Sequence, residues 1–252
     1  MMIELTPQKQ LAGRSLSVQP AMPVQTVPHT IRDSALMEQG GFAVFEGLVD
    51  DRSGQLLLQE AVQLSAQAYE CLIPESDSEE VRGGRPARRY LHSPGGEIQG
   101  AFYQADWMLT FLRDLTSPTL VPTGKMGTYS YYVRPGDYLA IHRDIVTCDV
   151  AVITCLSNGL EPADGGGSLC LYPERLNEPL STIRATPERG VLHLRLKVGQ
   201  TIVMYGGIVP HALLPVAESQ TRIVSVLCYE VPQETEARPA RSLTSHDMSG
   251  MM

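Results

Sequence analysis

His142 and Asp144 are spaced as H-x-D in the run Y-L-A-I-H-R-D. Alternation along a β-strand sends residues i and i+2 to one face, so an imidazole nitrogen and a carboxylate oxygen can enter the same cavity. The pair means little alone: with 6 His and 28 acidic residues in 252 positions, chance supplies roughly one such spacing. His211 adds weight, because it follows Tyr205, Gly206, Gly207 and Pro210 at the end of an apolar run, where the chain can return across a sheet. Two imidazoles and a carboxylate on one face of an octahedral ion leave three positions open, an arrangement suited to iron(II) and O2 chemistry. A 2-oxo acid can chelate through two of these positions and O2 can take the third. The far carboxylate of the acid then needs a cation, and Arg222, at the start of the last apolar run, offers a guanidinium fork.

These groups need a rigid support. From Gly127 onward the chain breaks into short β-rich runs, namely T-Y-S-Y-Y-V, Y-L-A-I-H-R-D, V-A-V-I-T-C-L-S, S-L-C-L-Y, G-V-L-H-L-R-L, Q-T-I-V-M-Y-G and R-I-V-S-V-L-C-Y-E-V. Such a series predicts a sandwich or barrel. If Pro135 and Gly136 form a hairpin turn, Val133 faces Tyr138, Tyr131 faces Ala140 and Tyr129 faces His142. Tyr129 and Tyr131 would then share the metal face, as donors to the 2-oxo acid or as aromatic packing, and Tyr132 would point away. Upstream, G-F-A-V-F-E-G-L-V (41–49) reads as a strand, Asp51 to Tyr69 as an amphipathic helix, and Ala105 to Leu115 as a second helix with an apolar stripe through Trp107, Met108, Phe111, Leu112 and Leu115.

Between the helices, residues 75–100 are rich in Gly, Pro and charge. Arg82, Arg85, Arg88 and Arg89 concentrate positive charge there, either as a solvated loop or as a substrate lid in which Arg85, Arg88 and Arg89 meet an anionic group. Residues 1–28 and 233–252 read as loosely ordered ends around a single domain, 29–232. His29, His92, His193 and His246 carry no metal-site signal, and Gly165 to Gly167 read as a tight turn, since no phosphate-loop pattern follows.

An apolar share of 43% in 252 residues suffices for a sizeable core. The formal charge of -8 argues against nucleic acid as a partner. No apolar run is long enough to span a membrane and no secretory leader is visible, so the expected place is the cytoplasm and the expected partner a small-molecule substrate. Nothing in the residues fixes an oligomeric state. Five cysteines, an odd number without a C-x-x-C pair, read as buried free thiols, with Cys155, Cys170 and Cys228 acting as small hydrophobes in strands.

The motifs I-H-R-D (141–144), D-G-G-G-S-L-C-L-Y-P (164–173), Y-G-G-I-V-P-H (205–211) and T-R-I-V-S-V (221–226) together resemble the iron(II)/2-oxoglutarate-dependent dioxygenases, in their prolyl-hydroxylase-like branch. The resemblance covers residues 125–231. It implies a mainly β fold: a double-stranded β-helix (jelly-roll, cupin-like) core over 121–232, behind a helical support region over 29–120. It also implies Fe(II) held by His142, Asp144 and His211, 2-oxoglutarate anchored by Arg222, and O2 as co-substrate. Many relatives carry Ser two residues after the anchoring Arg, whereas here that position is Val224 and Ser225 falls on the opposite face. Halogenating members carry Gly or Ala where this chain has Asp144, which argues for hydroxylation, desaturation or ring closure of a small molecule such as an amino acid or a biosynthetic intermediate. The competing reading is a non-catalytic β-barrel binding module, and Arg222 separates the two, because a structural metal needs no cation on the next strand. A zinc hydrolase would want a further Glu or His as general base.

Overall fold

A computed structural model describes residues 29–75, 82, 85–124, 127–159, 166–218 and 220–232. The terminal segments 1–28 and 233–252 lie outside the described residues, as do His246, Gly165 and part of the 75–100 segment.

The apolar runs become strands that are buried on both faces, as β7 and β10 are along most of their length. At the centre, β7 (Val150–Asn158) pairs antiparallel with β12 (Arg222–Glu230), from Arg222 opposite Asn158 to Tyr229 opposite Val150. β12 pairs on its other edge with β5 (Thr128–Tyr132), and β7 pairs with β10 (Thr201–Met204), which carries β1 (Phe42–Phe45) beyond it. A second wall is built from β6 (Tyr138–His142), β11 (His211–Leu213), β8 (Leu169–Leu171) and β9 (Leu192–Leu194). Residues of both walls enclose one cavity, in a mainly β jelly-roll architecture with a few helices. The seven β-rich runs expected downstream of Gly127 are all strands.

The join between the walls differs from expectation. Pro135 and Gly136 do form a turn, with Gly136 at φ +81 and Asp137 N–H donating to Arg134 O, but no hairpin follows. A strand read as loop, β3 (Arg88–Pro94), pairs with both flanking segments: Leu91 lies opposite Tyr131 and Ser93 opposite Tyr129, while Arg88 lies opposite Leu139. β5 and β6 thus run in the same direction along β3, and residues 133–137 are an excursion between them. The pairings of Tyr131 with Ala140 and Tyr129 with His142 do not occur. β3 was hidden because its cavity-facing residues Arg88, Tyr90 and His92 are polar or aromatic, so the strand lacks apolar alternation. Its neighbour β2 (Tyr69–Ile73) takes up the end of the segment expected to be helical.

Helices cover the first wall. α3 (Asp51–Leu64) is capped by Asp50, whose carboxylate accepts from Ser53 N at 2.9 Å, and ends before β2 rather than at Tyr69. Its buried Leu57 and Ala61 pack with Phe102 of α4 (Glu97–Tyr103) against Tyr129, Tyr131 and Leu156. α5 (Asp106–Leu115) buries Met108 and Leu112 of the expected stripe. Leu180 and Ile183, in a short helix over Leu180–Ala185, cover Ile141, Cys170 and Tyr172 on the outside of the second wall.

Cys155 and Cys170 are buried free thiols as expected, and Cys71 is half-buried. Cys228 is not free: it forms a disulfide with Cys148, 80 residues away, tying the start of β7 to the end of β12. The two half-cystines sit on either side of one strand pairing, a proximity that counting cannot reveal. No helix among the described residues is long and apolar enough to cross a membrane.

Candidate active site

Strand register brings the two histidines together. His142 ends β6, His211 begins β11, and the two are directly opposed, with ring centroids 4.1 Å apart. Asp144 lies just beyond β6, where its amide donates to Gly206 O at 2.8 Å. Asp144 Oδ1 is 3.4 Å from His142 Nε2 and 3.6 Å from His211 Nε2. One ligating atom from each residue lies within 4.8 Å of the others, and this is the only such cluster among the described residues. The Y-G-G motif has a steric reason here, since a Cβ on Gly206 would run into the Asp144 carboxylate.

Each imidazole is oriented by its own strand. His142 Nδ1 lies 2.9 Å from Ala140 O and His211 Nδ1 lies 2.9 Å from Val209 O. In the neutral rings these contacts put the proton on Nδ1, leaving the Nε2 lone pairs directed at the Asp144 side. Burial, and then His211, lowers the pKa of His142. Burial acts the same way on His211, but the Asp144 carboxylate outweighs it and the pKa is raised. Burial alone would raise Asp144, yet His211 and His142 hold its carboxyl well below the usual carboxylate range. The half-buried carboxylate is thus held in its charged form between two imidazoles, and the donor set fits a divalent cation.

The triad forms one end of a cavity of about 190 Å³. Arg222 lines it at 3% exposure; its Nη1 donates to Gly167 O at 3.1 Å, and its Nε is buried without a hydrogen-bond partner. Burial, the largest influence, lowers its pKa, and no carboxylate among the described residues pairs with it. An unpaired buried guanidinium costs several kcal/mol unless an anion reaches it, so the cavity is built to receive one. Val224 also lines the cavity, and Ser225 faces outward, where its hydroxyl accepts from Gln99 Nε2 at 2.7 Å, as strand parity required.

The tyrosines are the reverse of the expectation. Tyr132 lies opposite Arg222 and faces the cavity, with Ser130 and Thr128 below it on the same face. Tyr129 and Tyr131 point to the helices: Tyr129 Oη donates to Glu60 Oε2 at 2.6 Å, and Tyr131 Oη donates to Ala61 O at 2.7 Å. With β3 inserted, the facing of β5 is set by β12 and not by β6, which reverses its parity. Burial raises the pKa of both Tyr132 and Tyr90, so the two phenols, 5.1 Å apart by ring centroid, remain neutral donors. Pairing β5 with the strand that holds Arg222 was the signal that would have found Tyr132.

Of the three arginines expected to meet substrate, only Arg88 lines the cavity. Arg89 lies on the opposite face of β3, 3.6 Å from Asp137, and Arg85 is exposed and outside the cavity lining. His92 lines the cavity but is not part of the ligand cluster, while His193 is exposed on β9 with its Nδ1 3.4 Å from Cys170 Sγ.

No family profile matches the sequence, and no curated protein sequence is similar to it. Solved structures share its fold. A prolyl-4-hydroxylase from Pseudomonas putida superposes with a TM-score of 0.53 at 17% identity, over 77% of this chain and 94% of that one. HygX from Streptomyces hygroscopicus, solved with nickel, 2-oxoglutarate and hygromycin B, gives 0.52 at 14% identity, over 75% and 82%. The epimerase SnoN, in complex with Fe3+, alpha-ketoglutarate and nogalamycin RO, gives 0.57 at 12% identity, over 75% and 78%. The fold is thus that of iron- and 2-oxoglutarate-dependent oxygenases.

Proposed function

We propose that this chain is a non-haem iron(II)- and 2-oxoglutarate-dependent oxygenase that oxidises a small organic molecule. One observation carries the reading: a three-ligand cluster and a buried guanidinium without an anionic partner occupy the same cavity. A metal site of purely structural use has no need of Arg222. His142, Asp144 and His211 would hold the iron, with Arg222 and the Tyr132 hydroxyl taking the far carboxylate of 2-oxoglutarate. With iron, 2-oxoglutarate and O2 bound, the keto acid becomes succinate and CO2, and a substrate carbon loses hydrogen and is hydroxylated, desaturated or cyclised.

The cavity volume of about 190 Å³ is below the roughly 300–1,000 Å³ of ordinary ligand pockets. A bound keto acid leaves little of it, so the substrate would meet the metal from the solvent side; Ile145, 54% exposed, and Arg88 both line the cavity, and Arg88 is a candidate for an anionic group on the substrate. The HygX and SnoN complexes, which hold hygromycin B and nogalamycin RO, favour a small-molecule substrate over a protein. The test is succinate formation from 2-oxoglutarate under air. It is expected to require added iron(II) and to vanish in Asp144→Ala, and iron-independent turnover or full activity in that variant would overturn the reading.

A further inference from the structure

We propose that Arg82 is a positioning residue of the metal centre, whose guanidinium clamps the turn that carries Asp144. The inference rests on reading the triad as a metal site. Asp144 sits outside the strand ladder, on a turn whose next two side chains, Ile145 and Val146, are 54% and 69% exposed. Apolar burial therefore does little to fix this turn. Its carbonyls are held instead: Arg82 Nε donates to Asp144 O at 3.2 Å, and Nη2 donates to Ile145 O at 3.1 Å and Val146 O at 3.3 Å.

The clamp is anchored behind. Arg82 Nη2 also pairs with Asp149 Oδ1 at 2.8 Å, while Asp149 Oδ2 accepts from Val231 N at 2.8 Å and the Asp149 amide donates to Tyr229 O at 2.9 Å. Restraint thus passes from the end of β12 through Asp149 and Arg82 to the backbone of the carboxylate ligand. Gly207 accounts for the second glycine of Y-G-G, because a Cβ there would collide with the guanidinium lying over it. A planar fork can serve several carbonyls and a carboxylate together, whereas a lysine ammonium is a single point charge.

Titration of the metal-free full chain with cobalt(II), followed by its visible d–d absorption, tests the clamp without relying on turnover. Loss of an outer-shell partner typically weakens metal binding about 10- to 100-fold. Arg82→Ala is expected to lose affinity in that range with an altered d–d spectrum, Arg82→Lys to recover only part of it, and Asp149→Asn to fall between wild type and Arg82→Ala. Thermal melting of the metal-free variants separates this from unfolding, and if Arg82→Ala does not fold, Asp149→Asn decides by the same criterion. Wild-type affinity and spectrum in both Arg82→Ala and Asp149→Asn, with binding lost in His142→Ala, would overturn the clamp and leave the metal centre standing. Equal cobalt binding by wild type and His142→Ala would remove the metal centre and the clamp with it.

Discussion

Arg222 is a buried charge and Asp144 a half-buried one, and in the proposed function each meets a partner that arrives from solution. Arg222 is expected to set the 2-oxoglutarate requirement, so Arg222→Ala should raise the concentration for half-maximal turnover by 100-fold or so, the loss of a charge-assisted pair worth about 3 kcal/mol. The two tyrosine faces give a sharper contrast. Tyr132→Phe should weaken 2-oxoglutarate binding about 5- to 10-fold, as one hydrogen bond of about 1 kcal/mol implies. Tyr129→Phe should leave that affinity alone and lower stability by about 1–2 kcal/mol, because it removes the Glu60 contact behind the sheet. Calorimetric 2-oxoglutarate titration and urea unfolding of the two variants check this, and the opposite pattern would restore the parity that the inserted β3 removed. The pH response follows from His211, whose pKa lies above its ordinary 6.5. The protonated ring must lose its proton to bind a metal, so affinity is full at pH well above that raised pKa and declines as pH falls through it. Metal titrations from pH 8 to pH 6, flanking the ordinary value of 6.5, should show this loss with uptake of a proton on metal release.

At the scale of elements, strand register does the assembling. The His142–His211 opposition follows from the β6–β11 pairing, and the Arg222–Tyr132 row from the β12–β5 pairing. The disulfide reinforces the frame by linking the turn after Asp144 to β12, with Cys148 Sγ 3.8 Å from Asp144 Oδ2. Closing a loop of 80 residues stabilises by about 4 kcal/mol in the chain-entropy treatment. Denaturation with and without a reductant should show a lower urea midpoint for the reduced protein, and matching midpoints would mean that the bond contributes nothing. The downstream strands were legible because they are short runs rich in β-branched, aliphatic and aromatic residues set between turns. β3 was not, because its cavity-facing residues Arg88, Tyr90 and His92 give no apolar alternation, and without β3 the Pro135-Gly136 turn reads as a hairpin and reverses Tyr129 and Tyr132. The histidine and aspartate spacing survived that error because it does not depend on the turn: His142 ends β6, and Asp144 follows two residues on, its amide bonded to Gly206 O.

For the molecule as a whole, two walls of one antiparallel sheet close on a cavity lined both by a His-Asp-His cluster that could hold a metal ion and by Arg222, a cation with no carboxylate partner among the described residues. The helices on the outer face hold that sheet through Glu60, which accepts from Ile98 N, Gln99 N and Tyr129 Oη, and they contribute no group to the cavity lining. The motifs made the ligand set readable. The cavity's other residues come from strands that meet only in the folded sheet. If the triad and Arg222 hold one iron–keto-acid chelate between them, anaerobic titration with iron(II) followed by 2-oxoglutarate will reveal it. A weak visible charge-transfer band should appear at one iron and one keto acid per chain, vanish in His211→Ala, and require much more 2-oxoglutarate in Arg222→Ala. A wild-type protein that binds iron yet shows no band with saturating 2-oxoglutarate would contradict the account.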